Sequence, residues 1–218
     1  MKKTLRQCLL PVLLGCSGVA QAGLLNPDFS QGFQHWQAAV SWTDQQSGSD
    51  ATDSGELFGA YPAAFSLSGS NVTLTTALQA QRELWSLLMY QDLQLDAVGP
   101  GKALWLQFNL KALLSSSADF YFAQLRDLDT NDVLDLSAGG RFNLTSWIGR
   151  NLTLEFGVQD NDFVLGDSLT LSQLQLESRD VPAPASLLLF CAGLLLLPRA
   201  GTGRVGTDRA ATGAQHHG

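Results

Sequence analysis

Hydrophobic and polar residues alternate through the middle of the chain. In residues 104–111 leucines and a phenylalanine occupy the even positions, while Trp105 and polar residues occupy the odd ones. Residues 152–159 repeat the pattern with Leu, Leu, Phe and Val at the even positions. A period of two predicts β-strands with one face in the core and the other toward solvent.

Two interruptions of this pattern predict local features. Leu169 and Leu171 share one phase, whereas the next leucines are shifted by one position, which predicts a β-bulge or short break near Ser172–Gln173. The polar run 129–132 lies between two apolar segments and predicts a hairpin turn. Residues 78–88 fit either a helix or a loop followed by a strand.

The succession of short strands and turns predicts an all-β fold. For the body, residues 23–180, we predict a jelly-roll β-sandwich of eight or nine strands. Such a sandwich buries large aromatic side chains, and we expect Trp36 and Trp147 to belong to its core.

The N-terminus has the features of a secretion signal. Lys2, Lys3 and Arg6 precede a short apolar run, and Ala20-Gln21-Ala22 fits the small-x-small cleavage pattern. We predict a signal peptide over residues 1–22, removed by signal peptidase. The alternative is a lipobox ending at Cys16, which would be lipidated; both readings predict an exported protein.

A second apolar run lies near the C-terminus, over residues 185–197. As a helix, its 13 residues would reach about 20 Å, less than the ~30 Å hydrocarbon core of a bilayer. We therefore predict a short hydrophobic helix that makes an interfacial or transient membrane anchor. A buried core helix is the alternative.

The segment 181–199 resembles the PEP-CTERM sorting signal of Gram-negative bacteria. A Val-Pro-x-Pro motif precedes an apolar stretch with a central glycine, and an arginine follows it; Ala stands where the family usually has Glu. The matching residues are Val181, Pro182, Ala183, Pro184 and Arg199. The resemblance implies processing by an exosortase at the inner membrane, then location at the cell surface or outside, in association with exopolysaccharide and biofilm. Residues 200–218 replace the usual arginine cluster with a Gly/Ala/Thr-rich tail, which we predict to be disordered.

The body carries a second resemblance. The segment 26–36 is similar to the opening of galactose-binding-like and carbohydrate-binding jelly rolls, and residues 90–104 and 144–150 resemble their later segments. In that class the opening segment and the last strands often share a structural Ca²⁺. The resemblance therefore implies candidate calcium ligands, with solvated turn carboxylates as the alternative. These residues are Asp28, Asp160, Asp162 and Asp167.

Composition excludes several functions. The three cysteines, Cys8, Cys16 and Cys191, lie in the terminal segments, and His35 is the body's one histidine. Thiol catalysis and a two-histidine metal site are therefore excluded from the body, and we predict a non-enzymatic protein, with a glycan hydrolase as the alternative. The body carries 7 Lys+Arg against 19 Asp+Glu, a net charge of −12. Such a surface repels phosphate backbones, so we expect no nucleic-acid binding.

Trp105 is the candidate ligand-binding residue, because it lies opposite the apolar face of its strand. An exposed indole can stack on the C–H face of a sugar; packing in the core is the alternative. We predict an exported, exosortase-sorted surface or matrix protein associated with extracellular polysaccharide. The alternative is a carbohydrate-binding module that uses Trp105, and no cofactor is expected apart from structural calcium.

Overall fold

Two β-sheets packed face to face make up the part of the chain that the computed structural model describes, residues 21–181, with side chains from residue 23. The predicted all-β sandwich is confirmed. In chain order the strands are β1 (Gln21–Ala22), β2 (Gln37–Asp44), β3 (Asp50–Gly55), β4 (Phe65–Ser68), β5 (Asn71–Thr75), β6 (Ala77–Gln79), β7 (Arg82–Gln94), β8 (Lys102–Leu113), β9 (Phe120–Asp127), β10 (Val133–Asp135), β11 (Gly140–Asn143), β12 (Asn151–Gln159) and β13 (Ser168–Asp180). A 3-10 turn, Thr145–Trp147, precedes β12.

The larger sheet has the order β10-β9-β12-β7-β2-β3, and β1 and β6 also pair with β7. The smaller sheet has the order β11-β8-β13-β5-β4. Neighbouring strands are antiparallel except β1, which runs parallel to β7. The described residues contain more strands than the eight or nine predicted, because short strands such as β6 and β10 pair alongside the long strands β7 and β9.

The core lies between the two sheets and follows the predicted alternation. The even positions of β12, from Leu152 to Val158, are buried against residues of β8 and β13 such as Phe108 and Leu171. Trp36 is 1% exposed, with its ring centroid 6.3 Å from that of Phe156, as expected for a core residue. Trp147 is half-buried at the edge of the core, with the guanidinium of Arg150 over its ring.

The predicted bulge in β13 is confirmed. Ser172 pairs with Asn109 of β8, but the next paired residue, Gln175, faces Gln107, so β13 carries one extra residue. Gln173 takes up the irregularity with a left-handed φ of 54°. The bulge changes the phase of the strand, which allows Leu174 to be buried on the same side as Leu171.

Residues 78–88 form a strand hairpin, so the helical alternative was wrong. Ala80 and Gln81 form the turn between β6 and β7, and both have positive φ angles, 48° and 68°. Two consecutive left-handed residues are the geometry of a tight hairpin turn, which glycine and asparagine usually supply. The sequence therefore lacked the usual turn signal at this position.

The membrane-related predictions concern the ends of the chain. Within residues 21–181 no helix has the length and apolarity needed to cross a bilayer. Apart from β1, the predicted signal peptide lies outside the described residues. So do the C-terminal hydrophobic helix and the tail.

The predicted hairpin at residues 129–132 joins β9 to β10, and buried Asp127 organises it. Its Oδ1 accepts hydrogen bonds from the backbone N–H groups of Asp129 at 2.9 Å and Thr130 at 3.2 Å. Its Oδ2 lies 3.2 Å from Nη1 of Arg150. The N–H of Asp129, the N–H of Thr130 and the Arg150 guanidinium together lower the pKa of Asp127 and outweigh the opposite effect of burial.

This pKa shift predicts a pH-dependent contribution of Asp127 to stability. Because the folded-state pKa lies below the ordinary value of 3.8, the charged carboxylate stabilises the fold above that value. The advantage of the wild type over Asp127→Asn should be complete at pH 6 and shrink as the pH falls below about 4. Urea unfolding of both proteins across this range measures it. Asp129→Asn, which removes a charge from an exposed position in the same turn, controls for net charge; a gap that does not vary with pH would contradict the prediction.

Candidate functional site

The outer face of the larger sheet carries a group of aromatic and aliphatic side chains. Phe120 and Phe122 alternate with residues of β9 that face inward, so both project away from the smaller sheet. Gly157 of β12 pairs with Phe122 on one side and with Leu88 of β7 on the other, so these three residues form one row across the sheet. Tyr90, two residues further along β7, lies in the next row on the same face. We call these five residues the aromatic face.

Gly157 allows the ring of Phe122 to lie against the sheet. A Cβ atom at position 157 would lie 2.4 Å from both Cε1 and Cζ of Phe122, and 3.1 Å from the carbonyl oxygen of Leu87. Glycine at this position therefore leaves the space that the ring occupies. Phe122 is half-buried, and the ring of Phe120, 6.4 Å away between centroids, is more exposed.

Polar groups with restricted orientation border the aromatic face. Glu155 is only 3% exposed although it points outward, and it forms an ion pair with Arg126 of β9. It also accepts a hydrogen bond of 2.5 Å from Nε2 of Gln124. In the same row the hydroxyl of Tyr90 donates to Oε1 of Gln37 at 2.8 Å. Apolar rings beside a few fixed polar groups can bind a ligand that has both apolar and hydroxyl surfaces.

Trp105 lies on the outer face of the smaller sheet, opposite buried Leu104 and Leu106. It is half-buried, and the guanidinium carbon of Arg141 stands 4.2 Å from the centroid of its ring. This cation–π contact covers one side of the indole. Trp105 is therefore not a core residue, and one of its two ring faces is occupied by Arg141.

The structure brings together two of the four predicted metal ligands and adds a third carboxylate. Oxygen atoms of Asp119, Asp160 and Asp167 all lie within 4.8 Å of one another, and the three side chains are buried. We call them the acidic cluster. Asp162 is exposed in the same loop and does not belong to the cluster; its Oδ1 accepts a hydrogen bond from the N–H of Val164.

Asp28 does not join this cluster either. It is exposed, and its Oδ1 accepts hydrogen bonds from Ser30. The opening segment contacts β7 at Gln91, whose side chain forms hydrogen bonds with backbone groups of Leu25. Asp160 contacts β7 at Trp85, because its N–H donates to the Trp85 carbonyl. These two points on β7 are six residues apart, about 20 Å along the strand. The metal site implied by resemblance, shared by the opening segment and the last strands, is therefore not formed with Asp28.

Burial and hydrogen bonding affect the cluster's carboxyl groups in opposite directions. Burial raises the pKa of Asp160, and the nearby carboxylates of Asp167 and Asp119 add to this effect. Burial also acts to raise the pKa of Asp119, but hydrogen bonds from the N–H of Asn161 and from Ser116 and Ser115 outweigh it, and the net shift is downward. Asp119 is thus held as an anion beside Asp160.

Sequence reasoning missed the aromatic face and Asp119. The alternation of Phe120 and Phe122 about Tyr121 was a usable signal, since it places two rings on one face of a strand. Gly157 gave no such signal, because its role depends on the strand that pairs with it. Asp119 precedes β9 and is far in sequence from Asp160, so no spacing connected them.

Comparison with known proteins identifies no family. No protein-family model matches the chain, and no curated protein matches it. Among solved structures the chain is similar to the carbohydrate-binding module TmCBM61, solved in complex with β-1,4-galactotriose. The similarity has 16% sequence identity and a TM-score of 0.35, and it covers 72% of this chain and 97% of that one.

The close packing at Gly157 predicts a measurable coupling with Phe122. Gly157→Ala should destabilise the fold by about 1–3 kcal/mol, because the new methyl group displaces the ring. In a Phe122→Ala background the same substitution should cost clearly less, since the ring is absent and only the 3.1 Å approach to the carbonyl oxygen of Leu87 remains. Urea unfolding of the four proteins in this double-mutant cycle measures the coupling. Equal costs of Gly157→Ala in both backgrounds would contradict the assigned contact.

Proposed function

We propose that the protein is an exported, non-enzymatic β-sandwich that binds extracellular polysaccharide through the aromatic face. The observation that carries the proposal is the ring of Phe122 over Gly157, beside the ion pair of buried Glu155 with half-buried Arg126. An aromatic ring can pack against the C–H face of a sugar, while fixed polar side chains at its border can bond to the hydroxyl groups.

Charge favours a neutral glycan as the ligand. The body has a net charge of −12, which repels a polyanionic polysaccharide at long range. Arg126, which borders the aromatic face, is already paired with Glu155. A neutral sugar chain requires neither a free cation nor the separation of this pair.

The proposed role is binding and not catalysis. Glycoside hydrolysis requires one carboxyl group that acts as an acid and a second that acts as a base or nucleophile. The carboxylate of Glu155 is occupied on one oxygen by Arg126 and on the other by Gln124. With both oxygens engaged, Glu155 accepts hydrogen bonds from Arg126 and Gln124 and holds these two side chains in place.

Affinity electrophoresis of the full chain in gels containing neutral β-glucan, β-galactan or anionic alginate tests the proposal. We expect at least one neutral polysaccharide to retard the wild type, and Phe122→Ala and Tyr90→Ala to reduce its association constant at least tenfold, because each removes an apolar contact.

Trp105→Ala on the opposite sheet is the matched control and should bind like the wild type. Loss of binding in Trp105→Ala alone would assign the ligand to the smaller sheet. If none of the neutral polysaccharides retards the wild type, the binding function is wrong.

We propose further that the protein is sorted by an exosortase and reaches the cell surface or the extracellular matrix. Support comes from the Val-Pro-x-Pro motif at 181–184 together with the signal-like N-terminus. β13 ends at Asp180, and the N–H of Val181 donates to the carbonyl of Gly101 at 2.7 Å, so the motif begins where the sandwich ends. Cleavage at this position would leave every strand of residues 21–181 intact.

Mass spectrometry of both ends of the mature protein from its native cells tests this second proposal. Cleavage by signal peptidase and exosortase should give a chain that begins at Gly23 and ends near Val181–Pro182. A mature chain that retains Gly218 would contradict sorting, and one that retains Met1 would contradict export. Either result leaves the polysaccharide test unaffected.

A further inference from the structure

The acidic cluster concentrates negative charge, and residues 21–181 provide no cation to balance it. Its three carboxyl groups come from two connections, the β8–β9 connection with Asp119 and the β12–β13 connection with Asp160 and Asp167. Within residues 21–181 no lysine or arginine forms an ion pair with any of the three. Like charges in a buried site repel strongly, so a folded chain needs something else to balance them.

Hydrogen bonds orient the cluster but leave two of its oxygen atoms free. Oδ1 of Asp160 accepts from the N–H groups of Asp162 and Phe163, at 3.0 and 2.7 Å. Oδ1 of Asp167 accepts from the N–H of Ser115 at 2.5 Å. The Oδ2 atoms of Asp160 and Asp167 are buried and have no hydrogen-bond partner, although the two residues are 2% and 0% exposed.

Asp119 is held on the third side of the cluster. Its Oδ1 accepts from the N–H of Asn161 at 2.8 Å, and its Oδ2 accepts from the N–H and hydroxyl of Ser116 and the hydroxyl of Ser115. These bonds tie the β8–β9 connection directly to the β12–β13 connection. They also leave carboxylate lone pairs available, since each oxygen can accept more than one contact.

We propose that Asp119, Asp160 and Asp167 form a binding site for a divalent cation, and that this cation is Ca²⁺. Calcium binds oxygen ligands at 2.3–2.6 Å, so two ligands on opposite sides of one ion lie up to about 5 Å apart. The mutual separations within 4.8 Å fit this limit. The cation supplies the partner that the two unpaired Oδ2 atoms lack.

The ligand chemistry selects a hard cation. All three side chains offer carboxylate oxygens, and no histidine or cysteine belongs to the cluster, which disfavours zinc and copper. Magnesium requires near-ideal octahedral geometry, whereas calcium tolerates irregular sites completed by backbone carbonyls and water. Irregular loops such as residues 160–167 suit calcium better.

Calcium binding would stabilise the loops at one end of the sandwich. Thr76, after β5, accepts hydrogen bonds at its Oγ1 from the N–H groups of Gly166 and Asp167, both at 3.0 Å. A cation at the cluster therefore links the connections that precede β9 and β13 to the end of β5. The acidic cluster also lies next to Phe120, the first residue of β9. Calcium binding requires no ligand on the aromatic face.

Thermal unfolding of the full chain, purified in EDTA, tests the site with CaCl2 as the probe. We expect 1 mM CaCl2 to raise the Tm of the wild type by about 5 °C. Asp160→Asn and Asp167→Asn should lose this shift, because each removes a charged ligand while its Oδ1 can still accept the existing hydrogen bonds. Asp162→Asn, an exposed carboxylate in the same loop, is the matched control and should keep the full shift.

The behaviour in EDTA separates a metal ligand from a merely structural carboxylate. Without the cation, Asp160→Asn should unfold at the same temperature as the wild type or higher, since it relieves repulsion in the cluster. If Asp160 acted only through its hydrogen bonds to the loop, the variant would instead be equally destabilised with and without calcium, and the proposal would be wrong.

Equilibrium dialysis of the wild type with radioactive calcium gives a test that does not require a folded variant. One ion bound per chain supports the proposal, and no binding at 1 mM overturns it. An equal Tm shift with 1 mM MgCl2 would overturn the assignment to calcium.

Discussion

The register of β12 between β7 and β9 determines both faces of the larger sheet. Leu152, Leu154, Phe156 and Val158 point toward the smaller sheet and are buried. The intervening residues Glu155 and Gly157 lie on the outer side of the sheet, where Gly157 belongs to the aromatic face and Glu155 borders it. Because side chains alternate strictly, a shift of one residue would bury Glu155 in the core and expose Phe156. The cost of that exchange holds the register, and the register places Gly157 beneath Phe122.

The same pairing brings the acidic cluster to the end of these strands. Phe120 pairs with Gln159 at the last position shared by β9 and β12, and Asp119 and Asp160 are the next residues outward on each strand. Two carboxylates at adjacent strand ends are close because the strands are antiparallel and in register. Asp167 joins them because Thr76 holds its backbone. The aromatic face and the acidic cluster therefore depend on one set of strand pairs, although their chemistry differs.

Trp105 shows how far alternation alone can locate a functional residue. Its position in β8 correctly indicated the solvent side of a strand, since Leu104 and Leu106 are buried. The pairing of β8 with β11 could not be read from the sequence, and it is this pairing that brings Arg141 over the indole ring. The acidic residues lead to the same conclusion. The sequence indicated Asp160 and Asp167, which belong to the cluster, but also Asp28 and Asp162, which do not. It gave no indication of Asp119, the third member.

The sequence by itself determined the fold class and the main strands, because a period of two and local turn residues are properties of short segments. It also located the β13 bulge, since a change in phase is visible along one strand. The tertiary structure decided which strands are neighbours, and hence which distant side chains meet: Phe122 with Gly157, Arg141 with Trp105, and Asp119 with Asp160 and Asp167. The physical reason is that pairing is selected by burial of the whole core, a sum over residues far apart in the chain, whereas periodicity reports only which side of its own strand each residue occupies.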